Sequence, residues 1–456
     1  MNSKVRAACI IVAALSAMAF LLLSFAPHQA VFPSQQRYAA GSEPYHSLTE
    51  NPTSSDNAQS RSTVASAQST VKPGLPGADD PGVRHSRLQL IWGLVGAIWQ
   101  WIVLAAIVFG GLSPRLRDLA RRLSGGRLGS LTPYVILLTV LLAVFGAPIA
   151  FYREYIIEHE FGLSNQDVWS WLGDSAKGLG VGIVTSLIIF NLIYFLVRRS
   201  PRRWWLYGAG VVIAFSVVMA TLEPVLVTPL FNKFEPLRDQ ALKSRILAEA
   251  DRGGVSVADV LQADMSRQTK AANAYFIGIG PTKRIVLWDT LLDNFSGDEV
   301  LTIVAHEMGH QVHNDIWRSI GVGAVFFLIG FYLLYRVLGP LIGRFKDRFG
   351  FSRLEDVASL PLALLLVGLL FFAAQPVQNT FSRYIEHEAD RYALDLTHQN
   401  DVYANALDKL GRVNVSDPDP PAWIEFLFYS HPSLKKRIEF AREYRPWAER
   451  SQPASH

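Results

Sequence analysis

The chain has 456 residues, of which 50% are hydrophobic and 18% are charged, and its mean hydropathy is positive. This balance is too apolar and too lightly charged for an ordinary soluble protein. The formal net charge of +4 is small, and the single cysteine, Cys9, excludes an intrachain disulfide framework and a zinc site built from cysteines.

Seven apolar segments approach or reach the length that is needed to cross a bilayer. They run approximately over 7–26, 88–111, 133–151, 178–197, 204–222, 319–338 and 358–375. The first follows Lys4 and Arg6 and lacks a good small-x-small cleavage site after it, which favours an uncleaved anchor over a signal peptide. A buried soluble helix explains any single segment, but six or seven together predict a polytopic membrane protein.

The polar intervals between these segments give the domain organisation. Residues 27–86 are rich in Ser, Ala, Pro, Gln and Gly, a composition that predicts a flexible loop. The predicted order is an N-terminal anchor or signal segment (1–26), a low-complexity flexible loop (27–86), transmembrane helices two to five with their loops (87–222), a first polar region (223–318), transmembrane helices six and seven (319–375) and a second polar region (376–456).

The first polar region contains His306-Glu307-Met308-Gly309-His310, an H-E-x-x-H motif among apolar residues at helical spacing. Positions i and i+4 share a helix face, so the two histidines can bind one zinc ion. Glu307 then lies beside the metal, where it can take a proton from a water molecule that zinc activates. The alternative is a chance pentapeptide, which the helical context and the absence of proline make less favoured.

A catalytic zinc ion needs a third protein ligand and an open position for water. The common extension of the motif with a third histidine is excluded, because Ile316 occupies that position. The stretch S-R-Y-I-E-H-E-A-D supplies Glu386, a possible zinc ligand, and Asp390, which can accept the free ring N–H of a ligating histidine. His387 and Glu388 are rival ligands that spacing does not exclude, and an exposed acidic helix is the alternative for the whole run.

H-E-M-G-H, followed by two apolar spans and then S-R-x-x-E-x-x-A-D, resembles the type 1 CAAX prenyl protease family of integral-membrane zinc metalloendopeptidases. Three further stretches resemble the family's loop after its third span, the segment that enters its catalytic domain and its edge-strand region. They are E-H-E-F-G-L-S-N-Q (158–166), P-L-F-N-K-F-E-P-L (229–237) and the pair N-A-Y-F and R-I-V-L (within 273–287). The resemblance covers about residues 88–445, and 27–86 has no identified counterpart.

The resemblance implies a predominantly α-helical protein in which about seven transmembrane helices enclose a water-filled chamber with a thermolysin-like zinc site. It implies that the two polar regions are catalytic and that one zinc ion per chain is bound. The implied ligands are His306, His310 and Glu386, with Glu307 as the general base and Asp390 behind the ligands. Asn273 would bind the substrate backbone, His431 would stabilise the tetrahedral intermediate, and Arg437 would orient that part of the substrate-binding region. For His431 alone, a surface His-Pro turn is the alternative.

Basic residues predict the orientation of the chain in the membrane. If seven spans alternate, four clusters fall on one side: Lys4 and Arg6; Arg115, Arg117, Arg121, Arg122 and Arg127; Arg198, Arg199, Arg202 and Arg203; Arg344, Lys346 and Arg348. The positive-inside rule makes that side cytoplasmic, so the catalytic regions would face the outer, periplasmic side of a bacterial inner membrane. Eukaryotic family members that act on cytosolic substrates imply the opposite orientation. Binding of anionic head groups would explain the same clusters on the same side.

We therefore expect a zinc-dependent endopeptidase with a peptide or protein substrate, the lipid bilayer as its other partner, and no nucleic acid. One alternative is a membrane-protein quality-control or assembly factor with a zinc site and little peptidase activity, although a structural zinc site needs no base such as Glu307. A transporter is the other alternative, but spans two to seven carry almost no charges. The sequence identifies neither the substrate nor the oligomeric state.

Overall fold

The computed structural model describes residues 79–126, 129–278 and 280–447. The predicted anchor 1–26 and residues 27–78 of the predicted loop lie outside these ranges, as do Lys4, Arg6 and Arg127. The first described part is a set of helices: α1 (Pro81–Phe109), α2 (Leu112–Leu123), α3 (Leu131–Ala150), α4 (Val168–Arg199) and α5 (Trp204–Leu222). A π-helical turn, Phe151–Ile157, and one further turn, Glu158–Glu160, prolong α3; a π-helical turn, Glu223–Val227, and a 3₁₀ turn, Thr228–Leu230, prolong α5.

The middle of the chain forms a small mixed α/β unit. Its elements are β1 (Phe234–Pro236), α6 (Gln240–Arg252), β2 (Asp259–Ala263), β3 (Ala274–Ile277), β4 (Arg284–Trp288), α7 (Asp289–Asn294) and α8 (Gly297–Val312). Short 3₁₀ turns lie at Met265–Arg267 and Gly280–Thr282. The strands form a sheet in the order β1-β2-β4-β3, in which β2 and β4 are parallel and the two outer pairs are antiparallel. The β-branched run Ile285-Val286 therefore lies on an inner strand, and β3 is an edge strand.

The rest of the chain returns to helices. They are α9 (Asp315–Phe349), α10 (Leu360–Thr397), α11 (Asn400–Val413), α12 (Ala422–Phe428) and α13 (Leu434–Glu443), with a 3₁₀ turn, Val357–Ser359, before α10. Within the described ranges, six helices are long and apolar enough to cross a membrane: α1, the prolonged α3, α4, the prolonged α5, α9 and α10. The predominantly helical, multi-pass fold is thereby confirmed, together with six of the seven predicted spans; the segment 7–26 is not described.

Two predicted boundaries differ from the structure. α1 begins at Pro81, because the Asp80 side chain accepts a hydrogen bond from the Gly82 N–H at 2.7 Å and caps the helix. The last residues of the predicted 27–86 loop are therefore helical. The predicted boundary between 375 and 376 falls inside α10, which continues through Pro376 for about six more turns. Hydropathy marks where a helix leaves the apolar layer and not where its backbone hydrogen bonds end, so a polar continuation escapes detection.

The packing places the basic loops and the polar regions at opposite ends of the spans. At one end, Arg117 on α2 forms an ion pair with Asp356 at 2.8 Å, and Arg348 donates to the Phe109 carbonyl at 3.1 Å. At the other end of α1, the Ser86 hydroxyl accepts a hydrogen bond from the Asp417 N–H at 3.0 Å. The described Arg-rich loops therefore lie on the face opposite the C-terminal polar region, as alternating spans require.

Candidate metal centre

The helix α8 carries the H-E-x-x-H motif and is defined at both ends by the local sequence. Ser296 caps it in a capping box, in which the Ser296 side chain accepts from the Glu299 N–H and the Glu299 carboxylate accepts from the Ser296 N–H. His306 and His310 lie one turn apart near its C-terminal end, and their Nε2 atoms are 3.2 Å apart. The motif is therefore helical and both imidazoles face the same point, as the spacing predicts.

Glu386 reaches these histidines from α10. Gly309, inside the motif, allows the close approach, because a methyl group there would meet the Ala389 Cα at 2.9 Å. The Glu386 Oε2 atom lies 3.3 Å from the His306 Nε2 atom, and its Oε1 atom lies 3.6 Å from the His310 Nε2 atom. The glycine of H-E-M-G-H and the alanine of E-x-x-A-D therefore let two helices meet closely enough for three ligand atoms to converge.

The rival ligands on the same helix point elsewhere. The His387 ring lies against the Phe440 ring at 4.4 Å, and Glu388 forms an ion pair with Arg318 at 2.7 Å. Among the described residues, the one group of three or more His, Cys, Asp or Glu side chains whose ligand atoms lie within 4.8 Å of one another is His306, His310 and Glu386. Helix rotation separates these neighbours, since successive residues differ by about 100° around the axis.

The three side chains fit a metal ion. In tetrahedral coordination at about 2.0–2.1 Å, ligand atoms are about 3.3–3.4 Å apart, close to the distances found here. The Glu386 Oε2 atom is also buried and has no hydrogen-bond partner among the residues that the structure describes, which is costly unless a cation satisfies it. Burial lowers the pKa of His306, but the neighbouring Asp390 and Glu386 carboxylates outweigh burial and raise it to about 10. The surroundings thus favour positive charge at this point.

A buried polar network holds His306 from behind. Its Nδ1 atom lies 2.9 Å from the Asp390 Oδ1 atom, and the Tyr403 hydroxyl also donates to Asp390. Arg437 donates to both Asp390 oxygens, from Nε at 2.9 Å and from Nη2 at 2.7 Å. Asp390 thus occupies the place that the sequence predicts for it. Tyr403 comes from α11, and no sequence signal near the motifs pointed to it.

Arg437, which the sequence analysis assigns to the substrate-binding region, lies beside Asp390. Its side chain is 4% exposed and pairs with Asp390, and its Nη2 atom lies 4.0 Å from the Glu386 Oε2 atom. A guanidinium that is buried in a bidentate pair with a carboxylate is held too firmly to follow a substrate. Arg437 therefore lies behind His306 and Glu386, and its part in substrate binding stays a prediction.

Glu307 and His431 both lie close to the three ligand atoms. Glu307 is half-buried on α8, and burial raises its pKa, an effect that His310 and His306 partly offset. The His431 Nε2 atom lies 3.1 Å from the Glu386 Oε1 atom, and its Nδ1 atom lies 2.9 Å from the Ser430 hydroxyl. His431 thus faces the centre and is not part of a free surface turn.

Asn273 directly precedes the edge strand β3, which contacts α8. Its side-chain oxygen accepts a hydrogen bond from the Ala274 N–H at 2.8 Å, and its carbonyl accepts from the Trp288 N–H at 3.0 Å. One side of β3 pairs with β4, and the sheet order leaves the other side without a neighbouring strand in the described ranges. The predicted edge-strand region therefore lies beside the motif helix.

One polar contact in the centre has no counterpart in the sequence predictions. Asp315, the first residue of α9, is 5% exposed, and its Oδ2 atom lies 3.0 Å from the His310 Nδ1 atom. Asn314 adopts a left-handed conformation, φ 55°, between α8 and α9. This turn brings Asp315 back towards His310, a contact that no helical spacing predicts.

Comparisons with known proteins agree with this geometry. The profile of peptidase family M48 matches residues 236–445, and that of the CAAX prenyl protease N-terminal region, five membrane helices, matches 83–233. A Bacillus subtilis protein named uncharacterized metalloprotease YhfN is 29% identical over 383 residues, 84% of this chain and 89% of the relative. The CAAX prenyl protease 1 homolog of Oryza sativa is 32% identical over 303 residues, 64% of this chain and 68% of the relative.

A solved structure shows the same fold. The crystal structure of S. mikatae Ste24p superposes with a TM-score of 0.69 at 25% sequence identity, and the match covers 79% of this chain and 87% of that chain. The fold is thus the membrane-embedded chamber fold of family M48, and the alternative of a zinc-containing assembly factor with little peptidase activity is not favoured. From its two family profiles, its relatives and its fold, the chain belongs to the CAAX prenyl protease family and is an integral-membrane metalloendopeptidase.

Proposed function

We propose that this metalloendopeptidase uses one zinc ion, with His306, His310 and Glu386 as its ligands and Glu307 as the general base. The convergence of three ligand atoms within 4.8 Å, from the buried His306 and Glu386 and the half-buried His310, carries this proposal. Two imidazoles and one carboxylate with an open fourth position form a ligand set that zinc peptidases use. Two imidazoles and one carboxylate also suit iron(II), and the H-E-x-x-H motif with Glu307 beside the ligands favours zinc.

The residues of this chain can perform each step of peptide hydrolysis. Zinc in this site would polarise the scissile carbonyl and lower the pKa of a water molecule at its open position. Glu307 accepts the proton of the attacking water and passes it to the leaving nitrogen. His431 donates a hydrogen bond from Nε2 to the developing oxyanion. Asp390 and Arg437 keep the His306 ring in place.

We propose that the substrate binds in extended form along β3. A peptide that adds to a free sheet edge pairs through its main chain, which places one carbonyl at a constant distance from the motif helix. Asn273, which directly precedes this edge, would bind the substrate backbone. This mode recognises backbone shape more than side chains, and it suits an enzyme that clears many different segments.

Loss of the Asn273 side chain should weaken substrate binding without loss of the metal. For Asn273→Ala we expect kcat/KM on a quenched peptide to fall by about 3–10-fold, since one neutral hydrogen bond contributes about 0.5–1.5 kcal/mol. Zinc content should stay unchanged. Asn294→Ala is the matched control, because the Asn294 amide donates to the Thr290 carbonyl within its own helix, α7. An unchanged kcat/KM in Asn273→Ala would remove this residue from the binding site.

We propose that the catalytic face is periplasmic, in a bacterial inner membrane. The opposite face carries the Arg-rich loops after α1, α4 and α9, and such loops are retained in the cytoplasm. A protease in this orientation would seldom meet a prenylated cytosolic peptide. Membrane-protein quality control or clearance of signal fragments therefore suits it better. Comparison of peptide termini by mass spectrometry, in membranes with wild-type protein and with Glu307→Gln, would identify the substrates.

A reporter at the C-terminus tests this orientation. Alkaline phosphatase fused after His456 should be active, and green fluorescent protein at the same place should be dark, because the first folds only in the periplasm and the second fails to fluoresce there. A matched pair of fusions in the loop at 200–203, between α4 and α5, should behave in the opposite way. Fluorescence at His456 together with phosphatase activity in that loop would place the catalytic face in the cytoplasm.

A further inference from the structure

Both histidines of the motif lie at the end of a chain of polar side chains. Behind His306 the order is His306–Asp390–Arg437, with contacts of 2.9 and 2.7 Å. Behind His310 the order is His310–Asp315–Arg318, with contacts of 3.0 and 2.8 Å. In each chain, a carboxylate oxygen lies at hydrogen-bond distance from the imidazole Nδ1 atom, and a guanidinium forms an ion pair with that carboxylate. The two chains arise from different elements, since Asp390 lies on α10 and Asp315 on α9.

The second chain has one more member. Arg318 also forms an ion pair with Glu388 at 2.7 Å, and the Tyr384 hydroxyl donates to Glu388 at 3.0 Å. Arg318 thus connects the first turn of α9 to α10, the helix that carries Glu386. Glu388, a rival metal ligand on spacing alone, instead contacts this arginine. Through Asp315, Arg318 and Glu388, the His310 ring is therefore connected to both α9 and α10.

We propose that Asp315 is a positioning residue for the metal centre and that Arg318 and Glu388 hold it in place. The proposal rests on the ligand set proposed above. An imidazole that donates Nδ1–H to a carboxylate keeps the lone pair on Nε2, which is the atom that faces His306 and Glu386. Asp315 thereby sets both the tautomer of His310 and the direction of its ring.

Exposure and the number of contacts that separate each residue from His310 predict how much each member contributes. The Asp315 side chain is 7% exposed and that of Arg318 is 31% exposed, whereas Arg437 in the first chain is 4% exposed. Solvent screens a half-exposed pair more than a buried one. The effect of substitutions should therefore be largest at Asp315, which contacts His310 directly, smaller at Arg318, and smallest at Glu388, which reaches Asp315 through Arg318. A second role for Asp315, as a first-turn acid that stabilises the N-terminus of α9, would produce no such order in metal affinity.

The test uses purified full-length protein with Asp315→Asn and Asp315→Ala. We expect the zinc dissociation constant, measured by chelator competition, to rise by about 10–100-fold in Asp315→Ala, the usual loss for a residue behind a metal ligand, and by less in Asp315→Asn, which keeps an acceptor oxygen. Arg318→Gln should show a smaller rise than Asp315→Ala. With zinc in excess, KM should change less than kcat, because the ligand geometry and not the substrate contact is altered.

Asp298→Asn is the matched control. Asp298 is also a first-turn helix acid with an ion pair, to Arg245, and it lies on α8 itself but has no contact with either histidine. Its zinc dissociation constant should equal that of the wild type. Equal zinc dissociation constants in Asp315→Ala and wild type would overturn the inference and leave the proposed function standing. Absence of zinc from the wild-type protein would instead overturn the proposed function. Circular dichroism of each variant shows whether its helices are retained, and Asp315→Asn remains informative if the alanine variant is unfolded.

Discussion

We expect Glu307→Gln to abolish cleavage while the protein keeps about one zinc ion per chain. Glutamine has the same shape but cannot accept a proton, and general-base catalysis contributes about 10²–10⁴-fold to the rate. The three proposed ligands, His306, His310 and Glu386, are untouched by this change. The measurements are the rate of hydrolysis of a quenched peptide and the metal content of the same preparation.

The control for this substitution is another carboxylate-to-amide change on the same helix. Asp298 is exposed at the other end of α8, and the Asp298→Asn variant should retain full activity. Cleavage at the wild-type rate by Glu307→Gln would rule out this residue as the base. Loss of zinc together with activity would mean that Glu307 holds the metal and does not only act on water.

The second large effect is expected at Glu386. Glu386→Ala removes the one carboxylate among the three proposed ligands, so zinc content should fall strongly, and with it activity. Asp390→Ala should weaken zinc binding by about 10–100-fold, because the His306 ring is then held less well. Metal analysis after dialysis against a weak chelator separates the two cases.

Glu388→Ala is the control for Glu386→Ala, two residues along the same helix. It should still hold about one zinc ion per chain when zinc is in excess, since its partners are Arg318 and Tyr384 and not the ligand atoms. If Glu388→Ala loses the metal and Glu386→Ala keeps it, the assignment of the third ligand is wrong.

The local part of the site was predictable because it follows helix geometry. His306 and His310 are four residues apart, and Glu386 and Asp390 repeat that spacing, so each pair shares a face whatever the rest of the chain does. The structure brings the two faces together through the close contact at Gly309 and Ala389. Spacing alone did not exclude Glu388 and His387 as metal ligands. Successive residues differ by about 100° around the axis of α10, and this offset separates their side chains from that of Glu386.

The contacts behind the ligands were not predictable in the same way. Asp315 reaches His310 because Asn314 adopts a left-handed conformation, and no periodic pattern marks such a turn. Tyr403 comes from α11, which packs beside α8 only in the folded chain. Arg437 was predicted near the substrate, but its place against Asp390 depends on how α13 packs. These are tertiary contacts, which composition and residue spacing do not predict.

For the membrane helices, likewise, the sequence predicted that they exist but not where they end. Six apolar segments became helices because twenty apolar residues have few other options in a bilayer. The observed helix ends differ from the predicted ends by up to about twenty residues. Capping by Asp80 and the polar continuation of α10 depend on local hydrogen bonds and not on hydropathy. The long α10 matters for function, because one continuous helix carries Glu386 from the membrane to the motif.

Anomalous diffraction at the zinc edge, from crystals of the full-length protein grown with zinc, tests the central proposal most directly. We predict one strong peak at bonding distance, about 2.0–2.2 Å, from His306 Nε2, His310 Nε2 and a Glu386 carboxylate oxygen, with Glu307 beside it and not bonded. Absence of a peak at these three side chains, or a peak whose ligands are other residues, would contradict it.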